Sequence, residues 1–141
     1  MRKDNNNAKI FKEIKIYTIR NNHVMLDKDL AEFYEVKPIR LREQVKRNIK
    51  RFHSDFMFQL TEAEVDFMVS QNAIPSKKVL GGTNPYVFTE QGVAALSAVL
   101  KSNQAATVST SIFRAFVQMR HILTNNNIIL DRLTSVEHKQ L

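Results

Sequence analysis

Lys37, Arg40, Arg42, Lys46, Arg47, Lys50 and Arg51 crowd one short segment in which Glu43 is the sole carboxylate. Side chains of this kind bind phosphate oxygens and release the counterions of a polyanion. Gln44 lies among them, and Arg and Gln are the side chains that read guanine and adenine edges in the major groove. An ordinary solvated helix alternates its charges, setting Glu four residues from Lys. Here like charges accumulate, and contact with a polyanion accounts for the repulsion they tolerate. Ile39 lies on the same basic side, where an apolar group can meet a thymine methyl or pack on a neighbouring loop.

Other chemistries lack their residues. There is no cysteine, so a disulfide framework and a thiolate zinc site are both excluded. His23, His53, His121 and His138 are scattered without metal-ligand spacing. His53, beside the basic segment, reads as a surface residue or a weak phosphate contact. Gly81-Gly82 lacks the Lys-Ser/Thr that follows a phosphate-binding loop, and no Ser or Thr sits in a nucleophile elbow. The pairs Glu62/Glu64 and Asp27/Asp29 fall at helix starts, where capping explains them. Glu90, in Phe88-Thr89-Glu90-Gln91-Gly92, reads the same way: Thr89 caps a helix, Glu90 favours its positive end and Gly92 permits close packing. The expectation is a protein that is not an enzyme and has no cofactor, no metal and no small-molecule substrate.

The elements that position the basic segment follow from pattern. Ile14-Lys15-Ile16-Tyr17-Thr18-Ile19 alternates as a strand does, Asn21-Asn22 suits a two-residue turn, and His23-Val24-Met25-Leu26 returns as a second strand. Asp27 is the expected N-cap of a short helix, Lys28 to Tyr34. Pro38 fits the first turn of the next helix, which the pattern carries to Lys50 or Arg51. At 100° per residue Leu41, Val45, Ile49 and Phe52 form one inward stripe, with the cations opposite. Ala31, Val36 and Leu41 have the spacing of a helix-turn-helix miniature core, with Glu35 where the turn's positive φ usually selects Gly.

Downstream, Ser54 to Leu60 predicts a strand in which Phe56, Met57 and Phe58 pack. Thr61-Glu62-Ala63-Glu64 is a capping box opening a helix to about Ser70. Residues 71 to 85 form a loop, Tyr86-Val87-Phe88 a short strand, and Glu90 to Leu100 a helix capped by Thr89. A long helix from Asn103 to Leu123 buries Val108, Ile112, Phe116, Met119 and Leu123. Phe113 and Val117 widen that face, which points to burial on two sides or a subunit contact. Asn125-Asn126-Asn127 predicts a break before a further helix. The expected fold is therefore α+β: a small N-terminal hairpin and short strands with several helices, including a helix-turn-helix-like unit, and a long C-terminal helix. Residues 1–13 are expected to be a flexible segment, 14–123 the domain, and 124–141 a linker or the start of a coiled coil.

Several blocks in one order carry a resemblance: Val24-Met25-Leu26-Asp27, Asp29-Leu30-Ala31, Glu43-Gln44-Val45-Lys46-Arg47-Asn48, Asp55-Phe56-Met57-Phe58-Gln59-Leu60-Thr61, Phe88-Thr89-Glu90-Gln91-Gly92-Val93-Ala94 and Arg114-Ala115-Phe116-Val117. Over roughly residues 16–123 the chain resembles the phage ORF-six N-terminal domain family, a relative of KilA-N. Where that family's pattern has Gly before the turn valine, this sequence has Glu35. The resemblance implies a DNA-binding module of bacterial, prophage or phage proteins, often joined to a different C-terminal domain and linked to transcriptional or antirepressor-like roles.

The formal charge of +7 agrees with a polyanionic partner. No stretch approaches a transmembrane span, and Met1-Arg2-Lys3-Asp4-Asn5-Asn6-Asn7 lacks a signal-peptide core. The sequence therefore predicts a cytoplasmic, nucleoid-associated protein that grips double-stranded DNA through Lys37, Arg40, Arg42, Gln44, Lys46, Arg47, Lys50 and Arg51, as a possible homodimer and without a membrane. The alternative is a protein–protein interaction module that binds a repressor or an acidic partner and dimerises through helix 103–123.

Overall fold

Backbone reversal at Arg20 and Asn21, both at positive φ (53° and 62°), starts the sheet. The computed structural model describes residues 13–101 and 103–140, and side chains in the last helix as far as Ile122. The expectations for residues 1–12 and for the side chains beyond Ile122 lie outside the described residues. Strand β1 (Tyr17–Ile19) pairs antiparallel with β2 (Asn22–Leu26) in the register Tyr17↔Val24, Thr18↔His23 and Ile19↔Asn22. Two consecutive left-handed residues make the hairpin turn whose twist matches that of its strands. The turn therefore sits one residue earlier than the sequence predicts, and Asn22 begins β2. Arg20 is an unusual residue for this conformation, which costs about 1 kcal/mol. Its side chain offsets the strain. The guanidinium donates from Nε to Glu64 Oε2 at 2.9 Å and from Nη2 to Glu64 Oε1 at 2.7 Å, and lies 4.3 Å from the centre of the Phe58 ring.

The sheet has four strands in the order β1-β2-β4-β3, with β3 at Met57–Gln59 and β4 at Tyr86–Phe88, all paired antiparallel. Register sorts side chains between two faces. Met25, Phe88 and Met57 line up across the strands and join the larger core with Leu30, Leu41, Val93, Ile112 and Phe116. Leu26 and Val87 line up on the other face, with Leu60, Val65, Met68 and Ile74. Because β2 is covered on both sides, Val24-Met25-Leu26 reads as an uninterrupted apolar run, each 0% exposed.

Five α-helices surround this sheet among the described residues: α1 (Asp27–Phe33), α2 (Pro38–Arg47), α3 (Glu62–Ser70), α4 (Glu90–Leu100) and α5 (Asn103–Gln140). The fold is α+β. The capping box of α3 is present: Glu64 N–H donates to Thr61 Oγ1 at 3.2 Å, and Thr61 N–H to Glu64 Oε1 at 2.9 Å. Thr89 caps α4 by accepting Gly92 N–H at 3.3 Å. A Cβ on Gly92 would stand 2.2 Å from the Phe56 carbonyl oxygen, so only glycine lets α4 come this close to the chain entering β3.

Helix α5 buries Ala105, Ser109, Ile112 and Phe116. Val108 and Met119, expected on that face, are half-buried. The stripe is rotated toward Ser109, whose buried Oγ lies 2.6 Å from the hydroxyl of Tyr34, the residue that ends α1. The helix also continues through Asn125–Asn127, where the sequence predicts a break. Each asparagine costs only about 0.7 kcal/mol relative to alanine, too little by itself to end a helix.

Candidate nucleic-acid interface

The helix-turn-helix unit is held from its turn. Helix α1 ends with Glu35 N–H donating to Glu32 O at 3.2 Å and Val36 N–H to Ala31 O at 2.9 Å. These crossed bonds, with Glu35 at φ 57°, form a Schellman cap. Glu35 thus keeps the left-handed conformation for which glycine is usual, and its carboxylate accepts from Gln104 Nε2 at 2.7 Å. The expected miniature core is formed: Ala31 and Leu41 are each 1% exposed, and Val36 packs partly buried against the same cluster.

Helix α2 starts with Pro38 at its first turn and turns Leu41 and Val45 into the core. It ends earlier than the sequence predicts. Asn48 leaves helical geometry (φ −118°, ψ 31°), its Nδ2 donates to Gln44 O at 2.9 Å, and Ile49–Arg51 form a tighter 3₁₀ turn. The turn delivers Phe52 to the core, 5% exposed and edge-on to Phe88 at 6.0 Å. Ile49, expected on the inward stripe, is instead 54% exposed at the mouth of an open cavity of about 380 Å³ between α2 and the sheet.

Lys37, Arg40, Lys46, Arg47, Lys50 and Arg51 are exposed on this helix and turn. Glu43 shares the surface, its Oε2 3.6 Å from Arg40 Nη1. Gln44 is half-buried at the margin. Arg42 turns inward, its Nε 3.4 Å from Asp27 Oδ2. From Lys37 to Arg51 the chain therefore presents six cations and one carboxylate to solvent, while the seventh cation, Arg42, faces a buried partner.

That partner was expected to cap α1, but the cap position is Leu26 and Asp27 is the first helical residue. Asp27 is 1% exposed. Its Oδ1 accepts Lys28 N–H at 2.7 Å, and its Oδ2 accepts Tyr86 N–H at 3.1 Å. The second bond continues the β2–β4 ladder beyond Leu26↔Val87, with a side chain standing where a strand carbonyl would. Burial raises the Asp27 carboxyl above its ordinary pKa, against the opposing pull of the Tyr86 N–H, Arg42 and the Lys28 N–H. One carboxylate thus ties α1 to the sheet and faces α2 through Arg42.

Of the remaining sequence candidates, His23, Thr89 and Glu90 line a second open cavity of about 320 Å³ with Asp55, Gln91 and Arg120. Thr89 Oγ1 donates to Phe56 O at 3.2 Å, and Glu90 pairs with Arg120 on α5. His53 is exposed, its ring edge-on to Phe56 at 5.2 Å. Among the described residues no three His, Asp or Glu side chains gather as a metal site, and no helix is long and apolar enough to cross a membrane. Arg20 escaped the sequence reading because Glu64 lies 44 positions away and nothing local marks the pair.

A family model described as the ORF6N domain matches residues 14–99, a span that contains the whole helix-turn-helix unit. No curated protein and no solved structure matches the chain.

Proposed function

The chain belongs to the ORF6N domain family, and on that premise we propose that it binds duplex DNA as the recognition module of a phage-type regulatory protein, of transcriptional or antirepressor-like role. One observation carries this reading: Lys37, Arg40, Lys46, Arg47, Lys50 and Arg51 all project to solvent from a unit whose far side is anchored in the core by Leu41, Val45 and Phe52. A rigid helix with a cationic outer surface is the geometry that enters a groove between two phosphate backbones. The reading includes no catalytic step, cofactor or small-molecule substrate, and places the protein in the cytoplasm with the nucleoid. Titration of labelled duplex at several salt concentrations tests it. Log affinity falls with log salt by roughly 0.9 for each phosphate neutralised, and a salt-independent affinity sinks the proposal.

A second reading has its own observation. On α5, Val117 and Ile122 are 37% and 56% exposed, leaving apolar area beside the buried face. This favours a protein-interaction role or a homodimer through α5. Sedimentation with and without duplex separates the two, because a stable dimer indifferent to DNA supports the second.

A further inference from the structure

The outward surface of α2 is ordered across its width. Leu41 and Val45 define the buried direction. At 100° per residue Glu43 lies about 180° from their midpoint, and Ile39 and Arg47 about 140° on either side of it. These three are four residues apart in succession and form the crest of the helix. Arg40 and Lys46 lie about 120° from the midpoint, one on each flank. The outermost direction is thus not the most cationic: Glu43 occupies it, with Ile39 and Lys46 within about 20° of each other on one side and Arg47 and Arg40 likewise on the other.

Simple attraction to phosphate does not explain such an order. A carboxylate at the point of closest approach repels a polyanion. Ile39, 63% exposed, gains nothing from phosphate. Both make sense if the crest meets base edges while the flanks meet the two backbones. We infer that Ile39, Glu43 and Arg47 read bases in the major groove: Ile39 a thymine methyl, Glu43 the N4 amine of a cytosine, and Arg47 the O6 and N7 of a guanine. Each pairing matches one side-chain chemistry to one base edge. Arg40 Nη1 lies 3.6 Å from Glu43 Oε2 in an exposed pair. Along the axis the three readers are spaced by about 6 Å, so Ile39 to Arg47 covers about 12 Å, or about three and a half base steps of 3.4 Å. The inference rests on the proposed duplex binding and adds to it the bases preferred and the residues that choose them.

Selection from random duplex by the full chain, alongside its E43Q and I39A variants, tests the assignment. Wild-type chain selects a short element containing thymine, cytosine and guanine. E43Q moves the preference at the cytosine position to adenine by about tenfold, since glutamine pairs with adenine N6 and N7. E43Q also tightens non-specific binding, because a negative charge has left the surface. Replacing the selected thymine by deoxyuridine, which lacks the methyl, weakens wild-type binding about fourfold and leaves I39A indifferent. Unchanged selection by E43Q together with no response to deoxyuridine, while salt-dependent binding persists, overturns the base assignment and leaves duplex binding standing. Absence of any duplex binding at low salt overturns both.

Discussion

Arg20 and Glu64 lie 44 positions apart, yet they close on each other through two parallel bonds of 2.9 and 2.7 Å that join the hairpin turn to the first turn of α3. The same carboxylate accepts the Thr61 N–H, so one side chain serves the turn and the capping box together. These bonds, the one from Arg20 foremost, hold the Glu64 carboxyl down to about 2. A depressed carboxyl stabilises the fold above its unfolded value of 4.5 and loses that contribution as pH falls towards 2. Arg20 is 45% exposed, so water screens the pair and its contribution is small. Urea unfolding of Arg20→Met should show a measurable loss at pH 7 that shrinks as pH falls from 4.5 towards about 2. A deficit constant with pH would mean that the pair is not its source.

Asp27 shifts in the opposite sense. Its folded carboxyl titrates above the unfolded value of 3.8, so the folded state takes up its proton first and gains relative stability as pH falls through that window. The carboxyl carbon should show a midpoint above 3.8 by NMR titration. Asp27→Asn keeps the shape but removes one of the acceptors used by Tyr86 and Lys28 and leaves Arg42 without its anion. It should cost about 2 kcal/mol at neutral pH.

Gly92→Ala sets helix propensity against space. Alanine is favoured over glycine in a helix by up to about 1 kcal/mol, less in the first turn where Gly92 lies. Its Cβ, however, would lie 2.2 Å from a backbone oxygen that only a shift of β3 or α4 can move. The clash should win, with a net loss of about 2 kcal/mol or more in denaturant unfolding. A neutral result would show that Phe56 moves aside freely.

Glu35→Gly should stabilise the domain by about 0.5 kcal/mol, as relief of the left-handed strain exceeds the loss of an exposed bond to Gln104. A melting temperature raised by a few degrees checks this. A lowered one would mean that Gln104 contributes more to the unit than its exposure implies.

What could be read from sequence was local. Thr61 and Thr89 with their third neighbours, Pro38 at a helix start and the run Val24-Met25-Leu26 each specify their element within a few residues. The helix-turn-helix spacing from Ala31 to Leu41 was legible for the same reason. Features decided across the fold were not. The turn moved to Arg20 because Glu64 compensates a conformation that Arg20 alone disfavours. Helix α2 stopped at Arg47 because Asn48 takes up the Gln44 carbonyl and Phe52 has to reach Phe88. Arg42 looked like its neighbours in sequence, and only the burial of Asp27 beside Tyr86 distinguishes it.

The central claim is that the outer surface of α2 and its following turn grips DNA. The most direct measurement is the slope of log affinity against log salt for wild type, Lys46→Gln, Lys50→Gln and the control Lys78→Gln, an exposed cation in the 3₁₀ turn Lys77–Leu80. Lys46→Gln and Lys50→Gln should each reduce the slope by about 1, and Lys78→Gln should leave it unchanged. Equal slopes for all four folded proteins would contradict the account.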